Sequence, residues 1–390
     1  MMYYLGKARI SATALLQALT IFYFFYSFFE PYFNQLIGPI MKFYIILLVG
    51  LYVAHYNGKF QLNNFHKSIL CWFTLYCISL LWARDYTIGK MHFFTVCGAV
   101  ALLVCLTQVP IDNRIISYSI YTFWSGSFIV GLLSLVFHSS YYHYGLQFSA
   151  RQVLTIAGVQ TDPNDQAVFL LFGLSISLYY IFVKREKIIL SIVTIVVNAI
   201  SMMMTASRGG FLSFGLMVLI IVVFVVRELK TKVWIILSSL AVVVLIVYFL
   251  PRFISISSLE RLLQFDTYEG GGNRITFWKS GFHLLNENLF YYCFGAGWGS
   301  YYNYEGTYGM HNTYIEMFCN SGIIGLLLFF YPITRCLLYL WKRREYLAIF
   351  IAIAIFLPAF FLDCINKRFF WNAIYFLFFV YFYKRYSDTE

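Results

Sequence analysis

The sequence predicts an all-α polytopic membrane protein of about twelve transmembrane helices, and three observations predict this fold class. Of the 390 residues, 61% are hydrophobic and only 12% are charged, whereas a soluble domain contains roughly 25% charged residues. Apolar runs of roughly 20 residues, the length that crosses a bilayer, recur from one end of the chain to the other. Lys and Arg are concentrated in the short connections between these runs. Residues 1–390 are therefore expected to form a single membrane domain.

The twelve predicted spans follow these apolar runs. The first run ends at Phe29, Glu30 and Pro31 without a small-residue cleavage signal, so it is expected to be a retained helix rather than a signal peptide. The predicted spans cover residues 11–29, 36–55, 66–83, 91–109, 115–138, 165–183, 188–206, 210–227, 232–250, 313–334, 344–362 and 368–383.

The basic connections orient the spans. Five clusters of Lys and Arg fall on the same side when twelve spans alternate, and the positive-inside rule makes this side cytoplasmic. Lys7 and Arg9 place the N-terminus there as well, so both termini are expected in the cytoplasm. The net charge of +11 is therefore attributed to orientation rather than to nucleic-acid binding. The five clusters lie at residues 59–67, 184–187, 227–232, 342–344 and 384–385.

Two polar connections, residues 139–164 and 251–312, are long enough to build structure, and the alternation places both outside the cell. The second exceeds the usual length of a connection and is too rich in Trp and Tyr for a disordered segment. It is therefore predicted to form an extracytoplasmic cap of short helices that carries an active site. The eight cysteines show no CxxC spacing, which indicates neither a disulfide framework nor a zinc site.

Arg208 lies in a tight junction, residues 205–210, between two apolar runs. An Arg at a membrane boundary costs on the order of a few kcal/mol unless it reaches water or an anion. The neighbouring Gly209 and Gly210 favour an anion site, because glycine lets backbone N–H groups approach a phosphate closely. An interfacial anchor whose guanidinium snorkels to the surface is the alternative.

Arg274 follows a run of glycines and begins a short amphipathic segment that contains Phe277 and Trp278. A helix N-terminus favours anions, and a guanidinium group binds a pyrophosphate through two parallel hydrogen bonds. Arg274 is therefore a second candidate for phosphate binding. A solvated surface Arg is the alternative.

His311 stands where the long loop enters the tenth predicted span. Histidine titrates near neutral pH and can deprotonate a sugar hydroxyl, so His311 is a candidate general base; a packed or capping histidine is the alternative. Nearby tyrosines suit stacking against sugar rings, although an interfacial aromatic belt has the same composition. These tyrosines are Tyr301, Tyr302, Tyr304 and Tyr308.

Four elements, in this order and spacing, resemble the O-antigen ligase and polymerase family of bacterial membrane proteins. The most specific is His311-Asn312, followed after nine residues by Gly322 and Gly325. A proline that the family often has before its glycine run is absent here, and the first 150 residues match only in hydropathy and length. The other three elements are Asp162-Pro163-Asn164, residues 205–210, and Asn273-Arg274 with Trp278, Gly281, Gly295, Gly297 and Gly299.

The resemblance implies a GT-C-like glycosyltransferase of the bacterial plasma (inner) membrane with an extracytoplasmic active site. Its donor would be a glycan on undecaprenyl pyrophosphate. Arg208 and Arg274 would bind the pyrophosphate and stabilise the leaving group, and His311 would take the proton from the acceptor hydroxyl. No metal or other cofactor is implied.

The resemblance also implies supporting residues and partners. Asn164, Asp165 and Asn312 would bind the acceptor or support the site, and Asn164 and Asp165 have the alternative role of capping the sixth span. The acceptor would be a growing O-antigen or capsule glycan for a polymerase, the favoured reading, or lipid A core for a ligase. A transfer to teichoic acid or another cell-wall acceptor also remains open. A chain-length regulator and a flippase would be possible protein partners.

Two other classes of membrane protein remain as alternatives. A flippase for lipid-linked oligosaccharides would need charged residues in the middle of its spans, and here the charges cluster at span ends and in the outer loops. A peptidoglycan polymerase of the cell-shape family would be expected to depend on an outer-loop Asp, and no matching motif surrounds Asp266.

Overall fold

The computed structural model describes residues 2–5, 8–85, 87–108, 111–143, 146–226, 233, 272–302, 304–306 and 309–387. These residues are mostly helical, as expected for segments in lipid, where a helix satisfies its own backbone hydrogen bonds. The helices are α1 (Ala12–Tyr26), α2 (Glu30–Leu36), α3 (Ile40–His55), α4 (Asn64–Ser79), α5 (Thr87–Leu106), α6 (Asn113–Val136), α7 (Pro163–Tyr179), α8 (Ile188–Met204), α9 (Arg208–Ile220), α10 (Gly272–Asn286), α11 (Leu289–Phe294), α12 (Thr313–Lys342), α13 (Tyr346–Phe356) and α14 (Arg368–Ser387).

A helix overlaps each of the other predicted spans, and of the span predicted over 232–250 only Val233 lies within the described residues. By length and apolarity, five of the described helices can cross a membrane: α5, α6, α7 with its π-helical extension to Lys184, α9 with its extension to Val225, and α12. The pair α1 and α2 adds a sixth if it forms one broken span, because the two helices meet at 84°. The structure therefore supports a multi-pass membrane protein, whereas the predicted number of twelve spans is not confirmed.

The first predicted span is broken in the structure. It was expected to run from residue 11 to 29, yet α1 ends at Tyr26 and the chain turns sharply into α2. Pro31, in the first turn of α2, explains the break, because proline lacks the N–H that would continue the preceding helix.

A small antiparallel sheet corrects the all-α prediction. Residues 139–164 were expected to form an outer loop, and most of them form strands β3 (His138–His143), β4 (Leu146–Ile156) and β5 (Val159–Gln160), in the order β3-β4-β5. A separate hairpin pairs β1 (Met2–Leu5) with β2 (Ala8–Ser11). Pairing the strands satisfies backbone groups that an irregular loop would leave to water.

The connections gather into two groups at opposite ends of the bundle. At one end, which we call the motif end because Arg208 and His311 lie there, Glu30 bonds to Arg368 and Asp165 bonds to Lys367. At the other, which we call the basic end, Lys384 pairs with Glu345. Connections that the alternation of spans predicts on the same side of the membrane are therefore in contact with one another.

Helix α7 is the most enclosed of the membrane-crossing candidates among the described residues. It is 72% buried over its most apolar stretch, against 28% for α9. It packs against α6, α8 and α13. Its first turn lies at the motif end, where Asp165 bonds to Lys367. Side chains in that turn are therefore held by contacts on several sides.

Candidate active site

His311 is exposed, and its backbone is held on both sides. The carbonyl of Met310 accepts a 2.8 Å hydrogen bond from Trp278 Nε1, and the N–H of Asn312 donates to Asp363 Oδ1 at 3.1 Å. Between these anchors, His311 has a φ of 45°, a left-handed conformation that is uncommon in residues other than glycine. Strain of this kind occurs at functional sites, where the surroundings impose the geometry.

Asn312 begins α12 and supports this arrangement. Its side-chain oxygen accepts hydrogen bonds from the N–H groups of Tyr314 and Ile315, at 3.0 and 3.1 Å, and so caps the helix. Capping of this type fixes the direction in which the chain enters a helix. Asn312 thereby helps to set where the His311 side chain emerges.

The segment 361–367, between α13 and α14, lies beside the segments that carry His311, Arg274 and Arg208, and we call it the central loop. On the His311 side, Asp363 accepts the N–H of Asn312, and Thr313 Oγ1 donates to the carbonyl of Leu362 and accepts from the N–H of Cys364. The central loop is thus bonded to the first turn of α12. The position of the central loop is therefore coupled to that of the segment that carries His311.

Arg274 and the Arg208 segment approach the same loop at Phe361. The guanidinium carbon of Arg274 lies 6.0 Å from the centre of the Phe361 ring, a distance at which a cation is attracted by an aromatic face. A Cβ atom at Gly209 would lie 3.0 Å from Phe361 Cβ. One turn after Arg274, the ring of Phe277 lies 6.4 Å from the ring of His311. The structure therefore gathers the three segments that carry Arg208, Arg274 and His311 around the central loop.

The glycines beside Arg208 pack against protein. A Cβ atom at Gly210 would lie 2.8 Å from Ala167 Cβ, and the corresponding atom at Gly209 would meet Phe361. The Gly210 N–H donates to Ser207 Oγ, which caps α9. The sequence argument that these glycines admit a phosphate is therefore not supported, because the close approach they allow is to α7 and the central loop.

The glycines of the Asn273-Arg274 element and of the His311-Asn312 element also permit close crossings of the backbone. Gly295, Gly297 and Gly299 all have positive φ values, and a Cβ atom at Gly297 would lie 2.7 Å from Ala83 Cα. Gly322 interrupts α12 with φ 61° and ψ −168°, and a Cβ there would lie 2.3 Å from the carbonyl carbon of Cys293. These glycines pack α11 and the segment after it closely against α12 and the chain after α4.

Asn164 links three elements through one oxygen. Its Oδ1 accepts 2.9 Å hydrogen bonds from Arg151 Nη2, on β4, and from Ser207 Oγ, just before Arg208. Arg151 Nε also donates to the carbonyl of Thr205. Asn164 therefore fixes the Arg208 junction to the sheet and to the start of α7.

Asp162, rather than Asn164 or Asp165, caps α7. Its carboxylate accepts the N–H of Asn164 at 2.7 Å, and Pro163 occupies the first turn. Burial opposes ionisation of Asp162, but the charges of Arg151 and Lys367 and the backbone N–H bonds hold its pKa below the ordinary value. These contacts favour the ionised form of Asp162.

Asp165 forms an ion pair with Lys367 of the central loop. Their Oδ2 and Nζ atoms are 2.6 Å apart, with the carboxyl side chain 13% exposed and the lysine side chain 36% exposed. Burial favours the neutral amine, but Asp165 and Asp162 raise the pKa of Lys367 above its ordinary value. This pair fastens the central loop to the first turn of α7.

Glu316 is a buried carboxyl one turn into α12. Tyr301, of the predicted sugar-stacking tyrosines, is buried and donates its hydroxyl to Glu316 Oε1 at 3.1 Å. Tyr301 therefore supports the site from beneath rather than offering a stacking surface. Tyr304 bonds instead to Glu287, while Tyr308 lies outside the described residues.

Sequence reasoning missed the central loop. Asp363 and Lys367 lie in a short connection between two predicted spans, and no motif was recognised there. One signal was available: Lys367 and Arg368 form a basic pair on the side predicted to be extracytoplasmic, against the positive-inside trend. An exception of this type indicates a basic residue retained for a local interaction.

The arrangement combines groups suited to transfer from a phosphate ester. The Arg274 guanidinium and the segment that carries Arg208 both approach Phe361 of the central loop, and the exposed His311 follows a residue bonded to α10. Guanidinium groups stabilise negative charge that develops on a leaving phosphate, and an imidazole can accept a proton from a hydroxyl. The geometry is thus compatible with attack by a hydroxyl on a phosphate-activated carbon.

One comparison with known proteins covers the segments that carry the predicted site residues. No curated protein matches the chain. Residues 193–330 match the family model described as O-antigen ligase, a segment that contains Arg208, Arg274 and His311 and ends before the central loop. Over residues 193–330, the chain is therefore similar to the O-antigen ligase family that its motifs resemble.

Proposed function

We propose that this protein transfers a glycan from undecaprenyl pyrophosphate to a hydroxyl of an acceptor sugar, as the polymerase of a surface polysaccharide such as O-antigen or capsule. The match of residues 193–330 to the O-antigen ligase family model supports glycan transfer in surface-polysaccharide assembly. The observation that carries the finer proposal is the arrangement of the Arg208, Arg274 and His311 segments around the central loop.

In the proposed reaction, the acceptor hydroxyl attacks the anomeric carbon of the donor glycan. The new glycosidic C–O bond forms as the bond from that carbon to the pyrophosphate oxygen breaks. His311 takes the proton of the hydroxyl, and the bonding electrons leave with undecaprenyl pyrophosphate. General-base assistance of this kind typically contributes about 10²–10⁴-fold to a rate.

Arg208 and Arg274 bind the pyrophosphate in this proposal. The charge on the leaving group grows as the bond breaks, and fixed guanidinium groups stabilise that charge without reorganisation. Lys367 has a different role, because its amine is engaged with Asp165 at 2.6 Å. It positions the central loop, while the two arginines contact the donor.

No metal ion is needed in this scheme. Two guanidinium groups can neutralise the leaving pyrophosphate, which in other transferases is done by a divalent cation. The proposal therefore includes a metal-independent enzyme. Transfer that persists undiminished in EDTA is the expected result, and loss of transfer that Mg²⁺ restores would contradict it.

The proposed topology places the motif end outside the cell. Twelve spans, both termini in the cytoplasm and a location in the bacterial plasma membrane make this the extracytoplasmic end. The exposed Lys184, Arg185 and Lys342 support it, because they lie at the opposite end of the bundle and cytoplasmic loops are enriched in such residues. Residues 251–312 would then cap the site from outside.

The acceptor distinguishes a polymerase from a ligase, since the donor chemistry is the same. We favour a growing glycan on a second lipid-linked repeat unit as the acceptor, with a chain-length regulator and a flippase as partners in the pathway. Lipid A core is the acceptor in the ligase alternative. Asn164, Asp165 and Asn312 hold the site in shape from its edges.

Purified protein in lipid vesicles, supplied with lipid-linked repeat units, tests the proposal. A ladder of glycan lengths on the lipid is the expected product. A single transfer, obtained only after lipid A core is added, would indicate a ligase and reject the polymerase. Movement of the repeat unit across the vesicle membrane with no new glycosidic bond would indicate a flippase and reject both.

A further inference from the structure

A cavity of about 330 Å³ opens between α1, α6 and α8, close to the basic end. Its inner wall includes the buried Trp124 and Thr194. Its rim includes Tyr118, Tyr121 and Leu190, whose exposed fractions are 53%, 44% and 49%. The cavity is therefore a recess in the side of the bundle that is open to the surrounding lipid.

The polar groups in the cavity wall are directed to their own helices. Thr122 Oγ1 donates to the carbonyl of Tyr118 at 2.7 Å, and Thr194 Oγ1 donates to the carbonyl of Leu190 at 2.9 Å. Ser125 donates to Thr122 in the same way. The hydroxyl hydrogens of these three residues are thus already used, which makes this part of the wall suited to a hydrocarbon chain rather than to a sugar.

Lys187 holds a positive charge at the mouth of this cavity. Its amine lies 2.5 Å from the hydroxyl of Tyr121 and 4.1 Å from the centre of the Tyr121 ring. It also lies 6.0 Å from the ring of Trp124, a residue of the cavity wall, and 5.0 Å from the ring of Tyr180. Contacts with aromatic faces hold the cation in place.

The backbone of this turn directs the lysine towards the rings. Lys187 is the residue before α8 and has a φ of 50°, and Arg185 has a φ of 57°. Two left-handed residues in one short connection turn the chain back on itself. The Lys187 side chain consequently lies over the residues of α6 that form the cavity mouth.

We propose that this recess is a binding site for an anionic phospholipid, with one acyl chain in the cavity and the headgroup phosphate on the Lys187 amine. The apolar wall can pack against the acyl chain, and the Lys187 amine can pair with the headgroup phosphate. The volume lies at the lower end of the range of ligand pockets, about 300–1,000 Å³, which suits part of one chain rather than a whole lipid. Basic pockets between membrane helices bind anionic headgroups by this chemistry.

Retention of defined lipids by the detergent-solubilised full chain tests this site. Phosphatidylglycerol and phosphatidylethanolamine are added at equal concentration, and bound lipid is counted by native mass spectrometry. Wild type is expected to retain phosphatidylglycerol roughly fivefold better, the preference expected from one basic residue near an anionic headgroup. Lys187→Gln is expected to remove this preference, while the matched control Lys184→Gln in the same connection keeps it.

A second variant tests the cavity itself. Ser125→Phe places a ring in the recess from its exposed edge and is expected to reduce retention of both lipids, with an unchanged melting temperature as evidence of folding. Equal retention of the two lipids by wild type would overturn the proposal. So would an undiminished preference in Lys187→Gln, or an equal loss of preference in Lys184→Gln, since the attraction would then belong to the whole basic surface.

Discussion

Each end of the helical bundle contains an ion pair, and the two pairs differ in exposure. At the motif end, Arg368 and Glu30 form an ion pair whose side chains are 10% and 13% exposed. At the basic end, Lys384 and Glu345 form a pair whose side chains are 35% and 29% exposed. The Arg368–Glu30 pair is enclosed and joins elements distant in sequence, whereas the Lys384–Glu345 pair remains nearer the surface.

This difference indicates what each end is for. Enclosing charges has a desolvation cost, and a fold retains them where they fix a geometry or take part in chemistry. Exposed Lys and Arg at span ends cost little and suffice to orient a membrane protein. The comparison predicts that substitutions of similar chemistry have large effects at the motif end and small effects at the basic end.

Arg274→Ala gives the largest expected effect among the substitutions that sharpen this comparison. Removing one group that stabilises the developing charge is expected to reduce the transfer rate about 10²–10³-fold. Arg343→Ala, at the basic end, is the matched control and is expected to leave the rate unchanged. Rates are measured with purified protein and lipid-linked repeat units. Equal losses in the two variants would remove the distinction between the ends.

Breaking the Arg368–Glu30 ion pair tests the contrast between the two ends through the free energy of unfolding. Arg368→Met leaves Glu30 buried without its partner and is expected to lower the free energy of unfolding by about 3 kcal/mol. Lys384→Met breaks the surface pair and is expected to cost about 0.2–1 kcal/mol. Unfolding in detergent, followed by tryptophan fluorescence, measures both. A loss in Lys384→Met as large as that in Arg368→Met would contradict the account.

Lys367→Met has an intermediate expected effect on stability. Because the Lys367 side chain is 36% exposed, solvent screening reduces the expected loss to about 1–2 kcal/mol. The central loop is also released from α7, so transfer is expected to fall while binding of the donor is retained. Lys367→Arg, which can keep the pair with Asp165, is expected to restore most of the rate. Loss of donor binding in Lys367→Met would instead make Lys367 a ligand of the pyrophosphate.

Asp162→Asn has the smallest expected effect. The direction in which stability changes with pH follows from the lowered pKa of Asp162. The stability that its charge contributes is complete above the ordinary aspartate pKa and is lost as the pH falls through the lower value of the folded state. Asp162→Asn keeps a capping oxygen but removes the charge. The melting temperature of wild type is therefore expected to exceed that of the variant at pH 6 and to approach it as the pH is lowered towards 3. A difference that stays constant with pH would show that the charge does not contribute.

The motif residues were predictable from the sequence because their chemistry and spacing are local. His311 and Asn312 are adjacent, and Arg274 follows a glycine run that precedes a helix. Asp363 and Lys367 were not predictable in this way, since their roles depend on contacts with α12 and α7 far along the chain. Tertiary contacts of this type leave no periodic or spaced pattern in a single sequence.

The glycines illustrate a different limit. A glycine beside an Arg indicates that something approaches the backbone closely, but the sequence does not identify what approaches. At Gly209 and Gly210, the neighbours are Phe361 and Ala167 rather than a ligand. The strands over residues 138–160 were missed for a related reason, because the polar loop between two spans was interpreted by its length alone.

The most direct test of the account measures donor binding and transfer in the same preparation of His311→Ala. The account predicts unchanged binding of the lipid-linked donor, because the arginines bind the pyrophosphate, and a transfer rate lower by about 10²–10⁴-fold. The exposed position of His311 predicts an unaltered melting temperature. Transfer at a rate near that of wild type, in protein that binds donor normally, would contradict the assignment of His311 as the base.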